Sequence, residues 1–369
     1  MALTIVRNDI TRMHVDAIVN TTNEYFEVGG LGVDAGIHFA AGPKLKEALD
    51  AIGHCAPGSA VITDSFDIPY CKYIIHTVGP IYIDGLHGER EQLANCYKNI
   101  LALAKEKHCQ SVAIPSISTG AYGYPKAEAY SIATACIRDF LLSLPDDEDM
   151  MVYIVLYDRE SVAVSEKIDS GVKHFISEAY RQNQKEQLHS FYGGNQPSSQ
   201  FSMMRPSLSS PFWDEEPQDN VLFEEASAPM PSTIEPELSA SHSSPVPCPG
   251  EGYEKEDRSF ADMCEWWCKV KGLSKKEFYN RANINKSMFW GMKHHPDQIP
   301  KKTNALACVI GLKLDYDQAI DLLQRAGLTL SKYYETDLIV EYFIREKNFD
   351  IDEINALLYQ KDLSLLGTY

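Results

Sequence analysis

What the chain lacks already narrows the field. No apolar run approaches the roughly 18 residues that a membrane-spanning helix needs, and the cleanest stretches, such as residues 305–312, are core-sized. The N-terminus, Met-Ala-Leu-Thr-Ile-Val-Arg, has no apolar segment with a small-residue cleavage site, so no export signal is expected. Nine cysteines scattered at uneven spacing form no disulfide framework, which points to a reducing, cytoplasmic compartment. There is no internal repeat, and no Gly-x-x-x-x-Gly-Lys-Ser/Thr stretch, so a P-loop nucleotidase is excluded. Positive charge is also short: 34 Lys+Arg face 52 Asp+Glu, a net charge of −18, and such a surface does not bind nucleic acid as a whole.

What is present is 369 residues, 44% hydrophobic and 23% charged, enough for about two globular domains. The charge is unevenly placed. Residues 1–180 hold 14 Lys+Arg against 24 Asp+Glu, residues 181–255 hold 4 against 11, and residues 256–369 hold 16 against 17. Inside the last segment, residues 258–313 carry 11 positive and 4 negative groups, a single basic module suited to DNA or an acidic partner.

The first 180 residues alternate short β-branched runs with longer helical patterns. Strands are expected at 4–7, 17–20, 59–64, 73–78, 111–116 and 151–157, and helices at 33–52, 89–107, 125–144 and 161–181. Continuous apolar strands such as Val-Tyr-Ile-Val-Leu-Tyr imply a sheet covered on both faces, and this alternation gives an α/β sandwich with a largely parallel sheet. From about residue 182 to 256 the pattern stops. Ser/Pro-rich runs such as Arg-Pro-Ser-Leu-Ser-Ser-Pro cannot bury enough surface to offset chain entropy, so a disordered, acidic linker is expected. Helical periodicity returns at 260–271, 275–281, 286–294, 302–310, 316–325, 332–346 and 351–360. Gly272, Gly311 and Gly327 stand at the expected stops, and Ser274, Asn285, Asp315 and Ser331 at the starts. The organisation is thus 1–181, a linker at 182–256, and an all-α domain at 257–369.

Two glycine-rich segments follow strands and open helices: Val28-Gly29-Gly30-Leu31-Gly32-Val33-Asp34 and Ser118-Thr119-Gly120-Ala121-Tyr122-Gly123-Tyr124-Pro125. A strand, a glycine loop and a helix N-terminus together expose backbone N–H groups and a favourable dipole, which suits a phosphate. Two such loops suit a diphosphate held from both sides, and neither contains Lys or Arg. Gly30-Leu31-Gly32-Val33-Asp34-Ala35 also matches a loose dinucleotide-binding pattern, but it does not follow its strand directly.

Further motifs stand in a fixed order around these loops. They are Asn8-Asp9-Ile10-Thr11, Asp16-Ala17-Ile18-Val19-Asn20-Thr21-Thr22-Asn23, Gly58-Ser59-Ala60-Val61-Ile62-Thr63 and Ile75-His76-Thr77-Val78-Gly79-Pro80. With them, residues 1–180 resemble the macro domain family of ADP-ribose-binding modules, in particular its hydrolytic branch. The resemblance implies a three-layer α/β/α fold with a mixed sheet. It implies that Asp9 reads the adenine, with Ile10 beside it, and that Gly29, Gly30, Gly32, Val33 and Ser118, Thr119, Gly120, Ala121 and Tyr122 hold the diphosphate. Asn23 would hold the distal ribose, Asp34 would position or activate water, and Asn20 would brace the loop. The residues themselves leave other roles open: Asp9 capping a turn before Thr11, Asp34 serving as a helix N-terminal charge, and Tyr157 stacking on adenine or packing in the core. His38 and His76 read as packing residues. Two departures bear on catalysis. The Asn23-to-Asp34 spacing is one residue longer than the family's usual pattern, and Leu31 interrupts the glycine run with a Cβ that disfavours positive φ.

The expected function is binding of ADP-ribose and its hydrolysis from a modified macromolecule or from O-acetyl-ADP-ribose, chemistry that requires no metal or redox cofactor. Two alternatives stand beside it: a non-catalytic reader coupled to the helical domain, and an antitoxin-like eraser of nucleic-acid ADP-ribosylation. Residues 273–294 look like a helix-turn-helix of the phage-repressor type, and their basic charge fits DNA. Yet Met288, Phe289, Trp290 and Met292 stand where a reader of base edges would offer Arg, Asn or Gln, so a protein partner competes with DNA. Cys264, Cys268, His294, His295 and Cys308 lack zinc-ligand spacing, and no metal site is expected there.

Overall fold

The computed structural model describes residues 2–29, 32–145, 148–157, 164, 166–192, 258–295 and 298–367. Six strands, β1 Ala2–Arg7, β2 Ala17–Thr21, β3 Ala60–Asp64, β4 Tyr73–Thr77, β5 Ser111–Pro115 and β6 Met151–Leu156, form one sheet in the order β1-β6-β5-β2-β4-β3. All neighbours are parallel except β3, which runs antiparallel to β4 at the edge, so the sheet is mixed. The inner strands are apolar without alternation because both faces are covered. On one face α3 Glu89–Glu106 and α4 Lys126–Ser143 pack Leu93, Ile100, Ile132 and Ile137 over Val112, Ile114, Val152 and Ile154. On the other, α1 Val33–Ala41 and α2 Pro43–Ile52 pack Ile37, Leu45 and Leu49 over Ile18, Ile74 and Val155.

One helix was expected over residues 33–52, and there are two. Gly42 adopts φ +76° and ends α1, and Pro43 opens α2 at a position where its missing N–H costs nothing. A Cβ at Gly42 would also fall 2.5 Å from Asp67 Oδ2. A second difference lies past β6. Helix α5 spans Glu166–Tyr192, so the first eleven residues of the expected linker are helical, and its remainder from residue 193 to 256 lies outside the described residues.

The C-terminal region is α6 Phe260–Val270, α7 Lys275–Arg281, α8 Lys286–His294, α9 Lys302–Gly311, α10 Tyr316–Arg325, α11 Glu335–Arg345 and α12 Ile351–Gln360. Ser274 and Asp315 start α7 and α10 with reciprocal capping boxes, and Asn285 caps α8. Ser331 does not start α11. Its N–H donates to Asp337 Oδ2 in a turn, and the helix begins after Tyr334. Gly311 lies inside α9 rather than after it, where a Cβ would meet the Cβ of Ala282 at 2.6 Å; close packing, not a helix stop, requires it.

Residues 1–185 and 257–369 form one compact unit. Helix α5 places Val172 in the core of the C-terminal helices, with Ile168 and Ile176 packed against it, while Ala356 of α12 joins the core under α3 and α4. Arg138 on α4 makes two bonds to Asp352 of α12, at 2.9 and 2.7 Å, and also donates to the Asn280 carbonyl of α7. At the sheet edge Leu3 N donates to Asn283 Oδ1, 3.1 Å, in the turn between α7 and α8. Among the described residues no helix is long and apolar enough to cross a membrane.

Candidate functional site

Parallel strands bring their C-terminal ends to one edge of the sheet, and there a cleft of about 390 Å³ opens over β2, β5 and β6. Its described wall is Thr21, Thr22, Asn23, Gly29, Gly32, Val33 and Asp34 from the β2 exit, Gly79 from β4, Pro115, Ser116 and Ser118–Tyr122 from β5, and Val155–Tyr157 from β6. Asp34 is the one charged residue among them.

Asp34 stands in the first turn of α1, buried, with its carboxylate held by two hydrogen bonds and with an imidazole nearby. Asn20 Nδ2 donates to Oδ1 at 2.7 Å, Gly29 N donates to Oδ2 at 3.1 Å, and His38 Nε2 lies 3.7 Å from Oδ1. Asn20 is in turn anchored from behind. Thr63 Oγ1 gives its single hydrogen to Asp64 O, 3.0 Å, so it accepts from His76 Nε2 at 2.9 Å. That leaves a lone pair on His76 Nδ1, which accepts the second amide hydrogen of Asn20 at 3.2 Å. Burial, followed by the nearby His38, pushes the His76 pKa down to about 3, so the ring is neutral, as this bonding pattern requires. The chain Thr63–His76–Asn20–Asp34 fixes every donor and points the amide nitrogen, not the oxygen, at the carboxylate.

The loop after β5 is built to receive an anion. Among the described residues, the backbone N–H groups of Ser118, Thr119, Gly120, Ala121 and Tyr122 donate to no protein acceptor, while Gly123 N and Tyr124 N close the turn on Gly120 O and Ser118 O. Ser118 is held at φ +63°, a left-handed conformation that costs a non-glycine residue roughly 1–3 kcal/mol. Its hydroxyl is buried without a partner, as is that of Thr22 across the cleft. Gly79 makes the close approach of β4 possible, since a Cβ there would overlap Ser118 Oγ and lie 2.7 Å from Ile117 Cγ2. The Tyr122 phenol, at the cleft wall, is raised above its usual pKa by burial and then by the charges of Glu24 and Asp34, so it stays protonated.

Most of the residues singled out from sequence line this cleft: Asn23, Gly29, Gly32, Val33, Asp34, Ser118, Thr119, Gly120, Ala121, Tyr122 and Tyr157. Asn23 is already engaged there. Its Oδ1 accepts from Tyr25 N and Glu27 N, and its Nδ2 donates to Glu27 O, so one amide hydrogen remains. Asn20 lies behind the wall as the brace of Asp34. Asp9 and Ile10 are not part of the wall. Asp9 Oδ1 accepts from Thr11 N and Thr11 Oγ1 to cap a short 3-10 turn, the alternative role open to it from sequence, and Ile10 is buried in the core beneath α1. Gly30 and Leu31 lie outside the described residues. Sequence reasoning missed Thr22 and Gly79, although both stand inside motifs it had marked, and Val155 and Leu156, whose only signal was their place before Tyr157.

Comparison with known proteins identifies the family. A family model for the macro domain matches residues 19–133. Over 136 residues the chain is 52% identical to a macro domain-containing protein of Chlorobaculum tepidum, spanning 37% of this chain and 78% of that protein. The chain belongs to the macro domain family. Its macro domain is also 46% identical over 165 residues to the O-acetyl-ADP-ribose deacetylase of Salmonella newport, covering 43% of this chain and 89% of that protein. Among solved structures, the Oceanobacillus iheyensis macrodomain with ADP is 41% identical, covers 43% of this chain and 85% of its own, and has a TM-score of 0.40.

Outside the macro domain, the basic segment of residues 258–313 offers less free charge than its composition suggests. Lys275 and Lys293 both pair with Glu265, Lys302 pairs with Asp337, and Lys271 and Lys276 bond the carbonyls of Lys313 and Leu144. The exposed side of α8 carries Trp290, 56% exposed, stacked on His294 at 4.0 Å. Cys264, Cys268 and Cys308 are buried in the core of the C-terminal helices.

Proposed function

We propose that the macro domain binds ADP-ribose across the sheet edge and hydrolyses ADP-ribosyl esters, with Asp34 as the group that orients and activates water. The observation that carries this reading is a lone carboxylate at one end of a cleft, braced by Asn20 and Gly29 N, with no lysine or arginine among the described wall residues. With a glutamate-linked ADP-ribose, a carboxylate so placed accepts a proton from water as the water oxygen bonds to the anomeric carbon and the glutamate carboxylate leaves with the C–O electrons; with O-acetyl-ADP-ribose the water oxygen bonds instead to the acetyl carbonyl carbon, and the ribose oxygen leaves with the C–O electrons and takes up the proton. The five free N–H groups of residues 118–122 and the N-terminus of α1 face a diphosphate, as the absence of Lys and Arg from the wall requires. Tyr157, 84% exposed beyond β6, offers a face for adenine. The remaining amide hydrogen of Asn23 reaches for the ribose hydroxyls. The name of the Salmonella relative, an O-acetyl-ADP-ribose deacetylase, supports the ester class.

The test is titration of ADP-ribose into the full chain by calorimetry, followed by incubation with a glutamate-linked mono-ADP-ribosylated protein and with O-acetyl-ADP-ribose. Micromolar binding with product release is the expected result. Asp34→Ala should keep binding within a few-fold and lose at least about 100-fold in turnover, the usual scale for a general base. Unchanged turnover refutes the role of Asp34, and absent binding refutes the whole reading. One observation favours the reader alternative as an added layer. The phosphate-type loop runs directly into α4, whose Tyr130 and Arg138 bond the C-terminal helices, so a ligand that orders the loop pulls on that contact. Hydrogen exchange of α7 and α12 that responds to ADP-ribose would support it.

A further inference from the structure

Several lysines among the C-terminal helices are answered by Glu265, Asp337 or carbonyls, but three cations around one pocket are not. The pocket, of about 590 Å³, opens where the C-terminal ends of α7, α9 and α11 meet the start of α12 and the flank of α4, and it shares no residue with the cleft. Arg281, Lys313 and Lys347 stand exposed in its wall, and among the described residues their side chains make no hydrogen bond or ion pair. The acids nearby are committed elsewhere. Glu277, one turn before Arg281, turns Oε2 to Ser274 N and Oγ, both at 3.0 Å. Asp352 is held by the two bonds from Arg138, and Asp350 Oδ1 caps α12 by accepting from Asp352 N at 2.9 Å and Glu353 N at 3.2 Å.

A cation at a helix C-terminus commonly answers the last carbonyls. Lys271 and Lys276 do so, each bonding a carbonyl at a helix end, Lys313 O and Leu144 O. The three pocket cations bond none. The carbonyls at the ends of α9 and α11 are taken by the backbone instead: Ile310 O and Val309 O by Lys313 N and Leu314 N, Ile344 O and Phe343 O by Lys347 N and Asn348 N. Lys313 and Lys347 also occupy the left-handed position after their helices, at φ +50° and +55°, which Gly272 and Gly327 fill after α6 and α10. A residue with a Cβ is strained there, yet at both helix ends bordering the pocket the chain places a lysine. Like charges gathered in one pocket repel one another, and an anion between them removes that cost.

We propose that this pocket is a second ligand site, taking a small polyphosphate whose linked phosphate groups are gripped by Arg281, Lys313 and Lys347. Its volume is in the range of small-molecule sites. Cations from three different helix ends suit several linked phosphates better than a single one. A concave pocket also suits a small ligand better than a duplex, whose phosphates lie on a convex rod. The wall draws on both parts of the chain, Arg138 from α4 of the macro domain and the three free cations from the C-terminal helices. A ligand held there touches the elements that the Arg138–Asp352 pair joins, and stabilises their union by mass action. The inference is independent of the hydrolase reading.

The experiment is calorimetric titration of inorganic triphosphate into the full chain and into the triple variant Arg281→Gln, Lys313→Gln, Lys347→Gln, with urea unfolding in its presence and absence. A control variant, Lys44→Gln, Lys98→Gln, Lys107→Gln, removes the same charge from exposed lysines outside the pocket. Triphosphate affinity should fall at least about tenfold in the pocket variant, from loss of charge-assisted contacts, and stay within about twofold in the control. Triphosphate should raise the unfolding midpoint of the parent and the control, and leave that of the pocket variant unchanged. ADP-ribose titration reads the cleft separately, and there all three chains should agree within about twofold. A parent chain that binds no triphosphate overturns the inference. So does equal binding by parent and pocket variant, which would assign the triphosphate to another site, and so does an equal loss in the control, which would reduce the effect to net charge. A DNA duplex that binds the parent more tightly than triphosphate, and is lost in the pocket variant, overturns the choice of a small ligand.

Discussion

His76 never reaches the cleft, yet its substitution by leucine should cost the protein most of its catalytic rate. The imidazole is buried, faced by Asn20 from β2, Thr63 from β3, Phe26 and, on the α1 side, His38, with Asp34 beyond Asn20. His76→Leu removes the acceptor of the second Asn20 amide hydrogen. A buried donor left unpaired costs about 1–3 kcal/mol, and the better burial of leucine offsets part of that, so stability near neutral pH should fall by about 1 kcal/mol. The catalytic effect is larger. An amide anchored at one hydrogen only is free to rotate, and a displacement of about 1 Å in a reacting group costs about 100-fold. We expect kcat to fall about 10- to 100-fold with ADP-ribose affinity within about twofold. His76→Asn places an acceptor near the former Nδ1 and should recover most of the rate. Full activity in His76→Leu, or equal impairment of the leucine and asparagine variants, would refute the relay.

The same residue has a pH signature in stability. Its pKa is about 3 when folded against an ordinary 6.5, so between those values the unfolded chain holds more protons than the folded one. Its contribution is therefore complete above pH 6.5 and declines on acidification, at up to about 1.4 kcal/mol per pH unit. Urea denaturation of the parent and His76→Leu should show two stability curves that meet about half to one pH unit below 6.5 and then cross, the variant being the more stable chain at pH 4.5. Parallel curves would mean that the imidazole is not buried neutral.

Other expectations follow from single contacts. Gly79→Ala should displace Ser118 and Ile117 and lower ADP-ribose affinity at least about tenfold, read by calorimetry, since its Cβ has no room against that loop. Arg138→Met should destabilise the chain by about 3 kcal/mol, because it leaves Asp352, only 13% exposed, without its cation. Urea unfolding followed by tryptophan fluorescence reads this, and adding Asp352→Leu should return part of the loss; an unchanged midpoint would refute the pair's role in joining the two parts.

The alternation of strands and helices was legible because a covered parallel sheet needs continuous apolar strands, and Ile18, Val19, Val112 and Ile114 supply them. The phosphate-type loop was legible from the glycines that let it turn. The break at Gly42-Pro43 was written in the sequence too, but the apolar spacing from Ile37 to Leu49 runs through it without a fault and hides it. The role of Asp9 split between two readings because the same carboxylate serves a turn or a ligand; its Oδ1 does accept from Thr11 N, which leaves Oδ2 for the other role. What sequence could not show is the union of the macro domain with the C-terminal helices. It depends on Arg138, Asn280, Asn283 and Asp352, polar residues up to 280 positions from their partners, each unremarkable in its own segment. Nor could composition show that lysines of the basic segment 258–313 are answered by Glu265, Asp337 and backbone carbonyls, since pairing is a property of the fold.

The absence of basic side chains from the cleft and the presence of Asp34 are one design. A lysine reaching the diphosphate would also reach the carboxylate, a few residues away across an opening of about 390 Å³, and would pair with it. Asp34 would then be a partner in a salt bridge, and a poor acceptor for the proton of water. Backbone N–H groups avoid this, because they carry no net charge, are aimed by the turn itself, and do not rearrange to find a carboxylate. The site thus separates its two electrostatic tasks along the sheet. On the hydrolase reading, neutral amides at the β5 exit hold the anionic ligand and the carboxylate at the β2 exit serves the reaction, with Asn20 and Gly29 N orienting it. An acidic chain can bind an acidic ligand on these terms.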